Sequence, residues 1–220
     1  MNIGKTGIEK ILRKPFLAFS PFLVLMILIV IKFYDPSYMG DEEKYLNLSK
    51  NLLHGFYSPP APNIYLGVGP GYPIILLPFL ALKMPLVLIA VLNAVFYYLS
   101  IVLIYKTLVQ FISVKPAFGI SLFWAFYYNI YESIPAILPE TIAPFLVSLF
   151  IYLIMKAFST ERIINRYLIM AGLVFGYLAL TKVIFGYVLI FMLAGNLLLL
   201  ALDIRSNQYR KGILVLLFAF

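Results

Sequence analysis

The sequence predicts an all-α polytopic membrane protein with about six transmembrane helices and the start of a seventh. Of the 220 residues, 63% are hydrophobic and 12% are charged, whereas a soluble domain is roughly half apolar and about a quarter charged. Apolar runs recur as far as the C-terminus, which a removable signal peptide does not explain. Basic residues lie in the gaps between these runs, as they do at the inner ends of membrane helices.

Cysteine and histidine content excludes several classes of site. The chain has no cysteine, which rules out disulfides, zinc–cysteine sites, iron–sulfur clusters and a cysteine nucleophile. A single histidine, His54, argues against a histidine metal centre or a Ser–His triad. The formal net charge is +8, yet no basic run is long enough to form a nucleic-acid-binding arm. The expected partners therefore include membrane lipids and no nucleic acid.

The spans follow from the length of each apolar run, since crossing a bilayer takes about 20 residues. A single span over residues 168–202 would place Arg205, Arg210 and Lys211 outside, against the positive-inside tendency. We therefore predict two short spans there, hinged near Thr181 and Lys182. The predicted spans are residues 16–33, 86–105, 116–131, 141–155 and the two within 168–202. Residues 213–220 would begin a further helix, so we expect the chain to be the N-terminal part of a longer single transmembrane domain.

Charge fixes the predicted orientation, with the N-terminus in the cytoplasm. Most of the 17 basic residues then lie inside: Lys5, Lys10, Arg13, Lys14, Lys106, Lys115, Lys156, Arg162, Arg166, Arg205, Arg210 and Lys211. Most of the 9 acidic residues lie outside: Asp35, Asp41, Glu42, Glu43, Glu132 and Glu140. The protein is expected in the plasma (inner) membrane with its chemistry on the extracytoplasmic face.

The first outer loop, residues 34–73, carries an amphipathic helix and a turn-rich segment. The helix is predicted from Asp41 to His54, with Gly55 at the C′ position. Its apolar stripe has the spacing of a helix face and would lie on the membrane surface: Tyr45, Leu48, Leu52 and Leu53. Residues 55–73 are rich in proline and glycine, which is typical of an ordered loop. Pro73 would then start a short re-entrant or interfacial helix over residues 74–82.

Three regions of the sequence, the first of them made of three short segments, resemble a known family. Residues 40–45 (GDEEKY), 52–55 (LLHG) and 69–73 (GPGYP) resemble the first outer loop of GT-C superfamily integral membrane glycosyltransferases. The nearest branch is that of protein mannosyltransferases and lipid A aminoarabinose transferases. Residues 138–145 (LPETIAPF) resemble the outer start of the family's fourth span, and residues 172–182 resemble its Gly-x3-Gly…Leu-Thr-Lys segment. The chain departs from the pattern at residues 183–184, where glycine often follows the lysine.

The resemblance implies a GT-C-like fold and an enzymatic activity. Such an enzyme transfers a sugar, with inversion, from a polyprenyl-phosphate donor to the hydroxyl of a lipid, glycan or protein acceptor. Asp41 is expected to be the base, because crowded carboxylates at a membrane edge accept protons more readily. Glu42 would orient Asp41 or join it around a divalent cation. The alternative for Asp41 is a helix cap.

Further residues are candidates for substrate binding, each with a structural alternative. Lys182 would offset the donor phosphate, or it is a snorkelling residue at a hinge. Glu140 would bind a sugar, or it complements a helix dipole. Lys83 would also reach phosphate, or it only ends a short helix. Tyr65 and Tyr72 would stack on sugar, or they belong to the interfacial aromatic belt.

Two other functions are compatible with a polytopic chain. A transporter or channel would place charges within spans and repeat its halves, whereas here the acidic residues lie in loops and no halves match. A noncatalytic scaffold would retain the helices with an idle site. Replacement of Asp41 by asparagine separates an enzyme from such a scaffold.

Overall fold

The computed structural model of the protein describes residues 7–64, 66–159 and 164–201. Across these ranges the regular elements are α-helices and no strand occurs, which confirms the predicted all-α class. Several predicted features lie outside the described residues: Tyr65, Arg162, and the helix start at residues 213–220.

The described helices vary widely in length. In chain order they are α1 (Gly7–Leu12), α2 (Pro15–Ala18), α3 (Ser20–Phe33), α4 (Asp41–Leu53), α5 (Gly71–Ala81), α6 (Val87–Leu108), α7 (Val114–Ala125), α8 (Tyr128–Ser133), α9 (Ile142–Ala157), α10 (Asn165–Thr181) and α11 (Ile184–Ala201). Within the described ranges, α6 is the one helix with both the length and the apolar composition to cross a membrane. α3, α5, α9 and the first part of α11 are apolar but shorter. The predicted set of about six spans therefore stays a prediction.

The chain divides into two compact units. The first comprises Met1–Glu42 and Met84–Ser148. Its centre is α6, which packs against α2, α3 and α7 and buries Tyr97 and Ile101 completely. Apolar burial is the main favourable term here, and tyrosine hydroxyls add long-range hydrogen bonds. One example is Tyr98, whose hydroxyl donates to the Phe16 carbonyl oxygen at 2.6 Å.

The apolar run over residues 16–33, predicted as one span, is divided at Phe19 into two helices, α2 and α3. The cause is local. Pro21 has no backbone N–H, so it cannot donate to the Leu17 carbonyl oxygen four residues before it. The Ser20 hydroxyl donates to that oxygen instead, at 2.9 Å.

The apolar run over residues 116–131, also predicted as one span, is likewise divided into two helices. α7 ends at Ala125 and α8 begins at Tyr128. In an unbroken helix the carbonyls of Trp124 and Ala125 would accept from backbone N–H groups four residues later. Here Trp124 accepts from the Tyr97 hydroxyl and Ala125 accepts from the Tyr131 hydroxyl, both at 2.5 Å.

The second unit comprises Glu43–Lys83 and Leu149–Phe220. In its described part α10 packs against α5 and α11, and the Phe175 ring contacts the rings of Phe150 and Phe185. The predicted break near Thr181 is confirmed, since α10 ends there and α11 begins at Ile184.

The helix predicted from Asp41 to His54 is confirmed as α4, but its buried face differs from the prediction. Gly55 follows the helix with φ +85°, as a C′ glycine does. Leu46, Leu48 and Ser49 are buried, whereas Leu53 is 45% exposed. The Ser49 hydroxyl donates to the Pro73 carbonyl oxygen at 2.9 Å. The expected stripe through Leu53 is therefore corrected, because part of the helix packs on protein and not on the membrane surface.

Candidate functional site

The predicted site residues divide between the two units. Asp41, Glu42 and Glu140 belong to the first unit. The second unit contains the others that the structure describes, namely Tyr72, Lys83 and Lys182. Each group has its own local geometry.

Asp41 and Glu42 are the first two residues of α4, directly after Gly40, whose φ is +62°. Carboxylates in a first turn complement the positive end of the helix dipole. The Asp41 side chain is exposed and that of Glu42 is half-buried. Because Asp41 lies inside the helix and Gly40 precedes it, Asp41 occupies the first helical position and Gly40 takes the capping position.

Glu42 makes a hydrogen bond to a distant part of the chain. The backbone N–H of Ile137 donates to Glu42 Oε1 at 2.7 Å. Ile137 is fully buried and lies three residues before Glu140. The acidic pair and the segment that resembles the family's fourth span are therefore adjacent within the first unit.

Two tyrosines stand near the same carboxylate. The hydroxyls of Tyr34 and Tyr38 lie 2.5 Å apart. Burial, the hydrogen bond with Tyr38 and the nearby Glu42 charge, in decreasing order, raise the pKa of Tyr34 above its usual range. Tyr34 therefore stays neutral and keeps a hydroxyl beside the acidic start of α4.

Glu140 lies in the turn before α9. Its side chain is half-buried, with the Oε2 atom buried, and its neighbour Thr141 is fully buried. Upstream, the Asn93 amide of α6 donates to the carbonyl oxygens of Ala136 at 2.6 Å and Ile134 at 3.4 Å. The backbone that leads to Glu140 is thus held by side chains from α4 and α6.

In the second unit the loop before α5 packs closely on the end of α10. A Cβ atom added to Gly69 would lie 2.0 Å from the Leu180 carbonyl oxygen. One added to Gly71 would lie 2.5 Å from Thr181 Oγ1. The Tyr177 hydroxyl donates to the Gly71 carbonyl oxygen at 2.7 Å. Residues 69–73 and 172–182, two of the segments that carry the family resemblance, are therefore in contact.

Lys182 follows α10 directly, at its C-cap, and is half-buried. Its backbone N–H donates to the Leu178 carbonyl oxygen at 2.9 Å, and its carbonyl oxygen accepts from Phe185 N at 2.9 Å. These bonds fix the backbone of a cationic residue in the short break between two apolar helices. A lysine so placed is suited to neutralise an anion.

Lys83 and Tyr72 have contrasting environments, and the phosphate-binding role of Lys83 stays a prediction. Lys83 is exposed and has φ +52° just after α5, so its backbone ends that helix. Tyr72 is fully buried, and its ring packs edge-on against Tyr45 with centroids 5.1 Å apart. A ring closed on all sides offers no face to a sugar or to lipid, so both expectations for Tyr72 are corrected.

The sequence interpretation missed Asn93 and Tyr177. Asn93 is 1% exposed and sits in an apolar helix, where a polar side chain is costly unless it is bonded. That signal, an amide within a long apolar run, was present in the sequence. Tyr177 gave no comparable signal among the 17 tyrosines, since its partner Gly71 is distant in the sequence.

The described residues contain no cluster of three or more acidic or histidine side chains placed to hold a metal ion. A cation held by Asp41 and Glu42 would need further oxygen ligands from substrate or water. The metal role of this pair stays a prediction.

Comparison with known proteins identifies no relative. No family model, curated protein or solved structure matches the chain. The likeness to GT-C glycosyltransferases therefore rests on the three sequence regions described above.

Proposed function

We propose that the chain is a multi-pass membrane glycosyltransferase that uses a polyprenyl-phosphate-linked sugar on the extracytoplasmic face. The observation that carries the proposal is the hydrogen bond from Ile137 N to Glu42 Oε1. It joins the acidic pair, Asp41 and Glu42, to the segment that holds Glu140. A second pairing, of the Gly69–Gly71 loop with the end of α10, adds support. These are the segments that carry the family resemblance.

The chemistry follows from the types of residue. The acceptor oxygen attacks the anomeric carbon, the bond from that carbon to the phosphate oxygen breaks, and polyprenyl phosphate leaves. The Asp41 carboxylate takes the acceptor proton, and its exposure leaves it accessible to an acceptor. The Lys182 ammonium offsets the charge on the leaving phosphate. Glu140 hydrogen-bonds sugar hydroxyls, a common role for a partly buried carboxylate.

The membrane assignment rests on composition and charge. The chain is 63% hydrophobic, and α6 is the helix of the described ranges that is both long and apolar enough to cross a bilayer. Exposed apolar side chains cover α11, such as Ile184, Ile190 and Phe191, each more than 60% exposed. Water would disfavour such a surface, whereas lipid would not.

The test replaces the proposed base and keeps its size. The Asp41→Asn variant and the wild type are reconstituted in liposomes with a panel of radiolabelled polyprenyl-phosphate hexoses and pentoses. Loss of a general base should lower kcat by about 10²–10⁴-fold. The matched control is Glu43→Gln, which changes an exposed carboxylate in the same helical turn.

The result is interpreted against folding and donor affinity. Helix content by circular dichroism should be the same in both variants and the wild type. Lys182→Met should both raise the KM for the donor and lower kcat, because the negative charge on the phosphate grows as it leaves. If the Asp41→Asn variant transfers sugar as fast as the wild type, Asp41 is not the base. If the wild type neither transfers sugar nor releases polyprenyl phosphate with any donor, the proposed function is rejected.

A further inference from the structure

The segment from Ile134 to Thr141, between α8 and α9, has no regular secondary structure over most of its length, and side chains from elsewhere hold its backbone. Asn93 Nδ2 donates to the carbonyl oxygens of Ile134 and Ala136. From the other direction, the Ile137 N–H donates to Glu42 Oε1. Neighbouring peptide groups are thus bonded to two side chains of the first unit, Asn93 of α6 and Glu42 of the first turn of α4.

The Asn93–Ile134 bond is buried, and the bonds from Asn93 to Ala136 and from Ile137 to Glu42 are partly buried. Asn93 is 1% exposed, and Ile134 and Ile137 are fully buried. A hydrogen bond in such surroundings is stronger than one at the surface, and a peptide group that lost its partner there would be left unsatisfied. Glu42 and Asn93 therefore restrict the segment more than surface contacts would.

We infer that Glu42 and Asn93 are positioning residues that fix the segment carrying Glu140. The role of Glu140 rests on the proposed function, whereas the hydrogen bonds by which Glu42 and Asn93 fix this segment do not depend on it. Glu42 was expected to orient Asp41 or to bind a cation, but one of its oxygens accepts from Ile137 N, 95 residues along the chain. What this bond requires of residue 42 is an acceptor oxygen and not a negative charge.

The first test measures how firmly the segment is fixed, from the amide hydrogen exchange of the purified full chain in detergent micelles. Glu42→Leu removes the acceptor, and exchange of the Ile137 amide should become roughly tenfold faster or more. Glu42→Gln keeps an acceptor oxygen and should change exchange little, like the exposed control Glu43→Gln. Asn93→Leu removes the other bonds and should speed exchange at residues 134–137. Unchanged exchange in Glu42→Leu would overturn the inference, even if Asn93→Leu does not fold.

The second test separates positioning from a role in the chemistry. In the liposome transfer assay, Glu42→Gln should keep about a tenth or more of the wild-type kcat, while Glu42→Leu should raise the KM for the sugar donor. A base or metal ligand would lose about 10²-fold or more in both variants, and that outcome would overturn the positioning role. If exchange responds as expected but the wild type transfers no sugar, the proposed function fails. The conclusion that Glu42 and Asn93 fix the segment then still stands.

Discussion

At the scale of single residues, close packing explains why positions 69 and 71 are glycine; Gly69 lies just before α5 and Gly71 is its first residue. The Gly69 backbone approaches the Leu180 carbonyl so closely that any Cβ would overlap it, and Gly71 stands in the same relation to Thr181. The opposing atoms are mostly backbone, which cannot rotate away. We expect Gly69→Ala and Gly71→Ala each to lower the free energy of unfolding by about 1–3 kcal/mol, the usual effect of overpacking.

Thermal unfolding of the two variants in detergent measures this effect. Gly186→Ala is the matched control, because its Cβ would meet nothing within 4 Å. Gly186 lies in the same unit and inside α11, where alanine is favoured over glycine by up to about 1 kcal/mol. The control should therefore be neutral or stabilising. Equal Tm values for Gly69→Ala and the wild type would contradict the packing role.

Residue-level prediction succeeded where the signal was local. The helix start at Asp41 and the C′ glycine Gly55 follow from short-range rules and were predicted. The environment of Tyr72 was not, because its burial depends on Tyr45, a partner that no spacing rule points to. The bonds of Asn93 to a segment some 40 residues away were likewise invisible.

At the scale of elements, the end of α7 is set by two tyrosine hydroxyls from outside that helix. Tyr97 and Tyr131 donate to the last carbonyls of α7, at Trp124 and Ala125. The Trp124 carbonyl also accepts from the Tyr127 backbone N–H at 3.0 Å, so Tyr97 supplies one of its two donors. Tyr97→Phe should lower the free energy of unfolding by about 0.5–1.5 kcal/mol, the net contribution of one hydrogen bond.

Denaturant or thermal unfolding in detergent checks this prediction, with Tyr187→Phe as the control. Tyr187 is 60% exposed, so removal of its hydroxyl should change the free energy by less than about 0.5 kcal/mol. Because phenylalanine fills the same space, the comparison isolates the hydroxyl. A Tyr97→Phe variant as stable as the control would show that the break after Ala125 does not depend on this bond.

The helices divide into those that the sequence predicts and those that it does not. The long apolar run of α6 and the lysine between α10 and α11 gave correct helices and a correct break. Apolar content alone also predicted unbroken spans at residues 16–33 and 116–131, and both are interrupted. Hydropathy reports where a segment is stable in lipid, whereas these breaks depend on Pro21 and on tyrosine hydroxyls.

At the scale of the whole molecule, the charge distribution makes a prediction about topology. Most basic residues, 12 of 17, fall in alternate gaps between the apolar segments, and most acidic residues, 6 of 9, fall in the others. If the positive-inside tendency sets the orientation, the gaps should alternate between the two sides of the membrane. The chain has no cysteine, so single engineered cysteines report each gap without background.

Exposed, uncharged positions make the best reporters, because their replacement leaves the charge pattern intact. Asn47→Cys, Asn129→Cys and Val183→Cys should react with an impermeant maleimide in intact cells. Ser113→Cys and Ser159→Cys should react only after the membrane is permeabilised. All five side chains are exposed on the protein, so a failure to react before permeabilisation followed by reaction after it reports the side of the membrane. Labelling of Asn47→Cys and Val183→Cys from opposite sides would contradict the predicted topology, and with it an extracytoplasmic site that uses both Asp41 and Lys182.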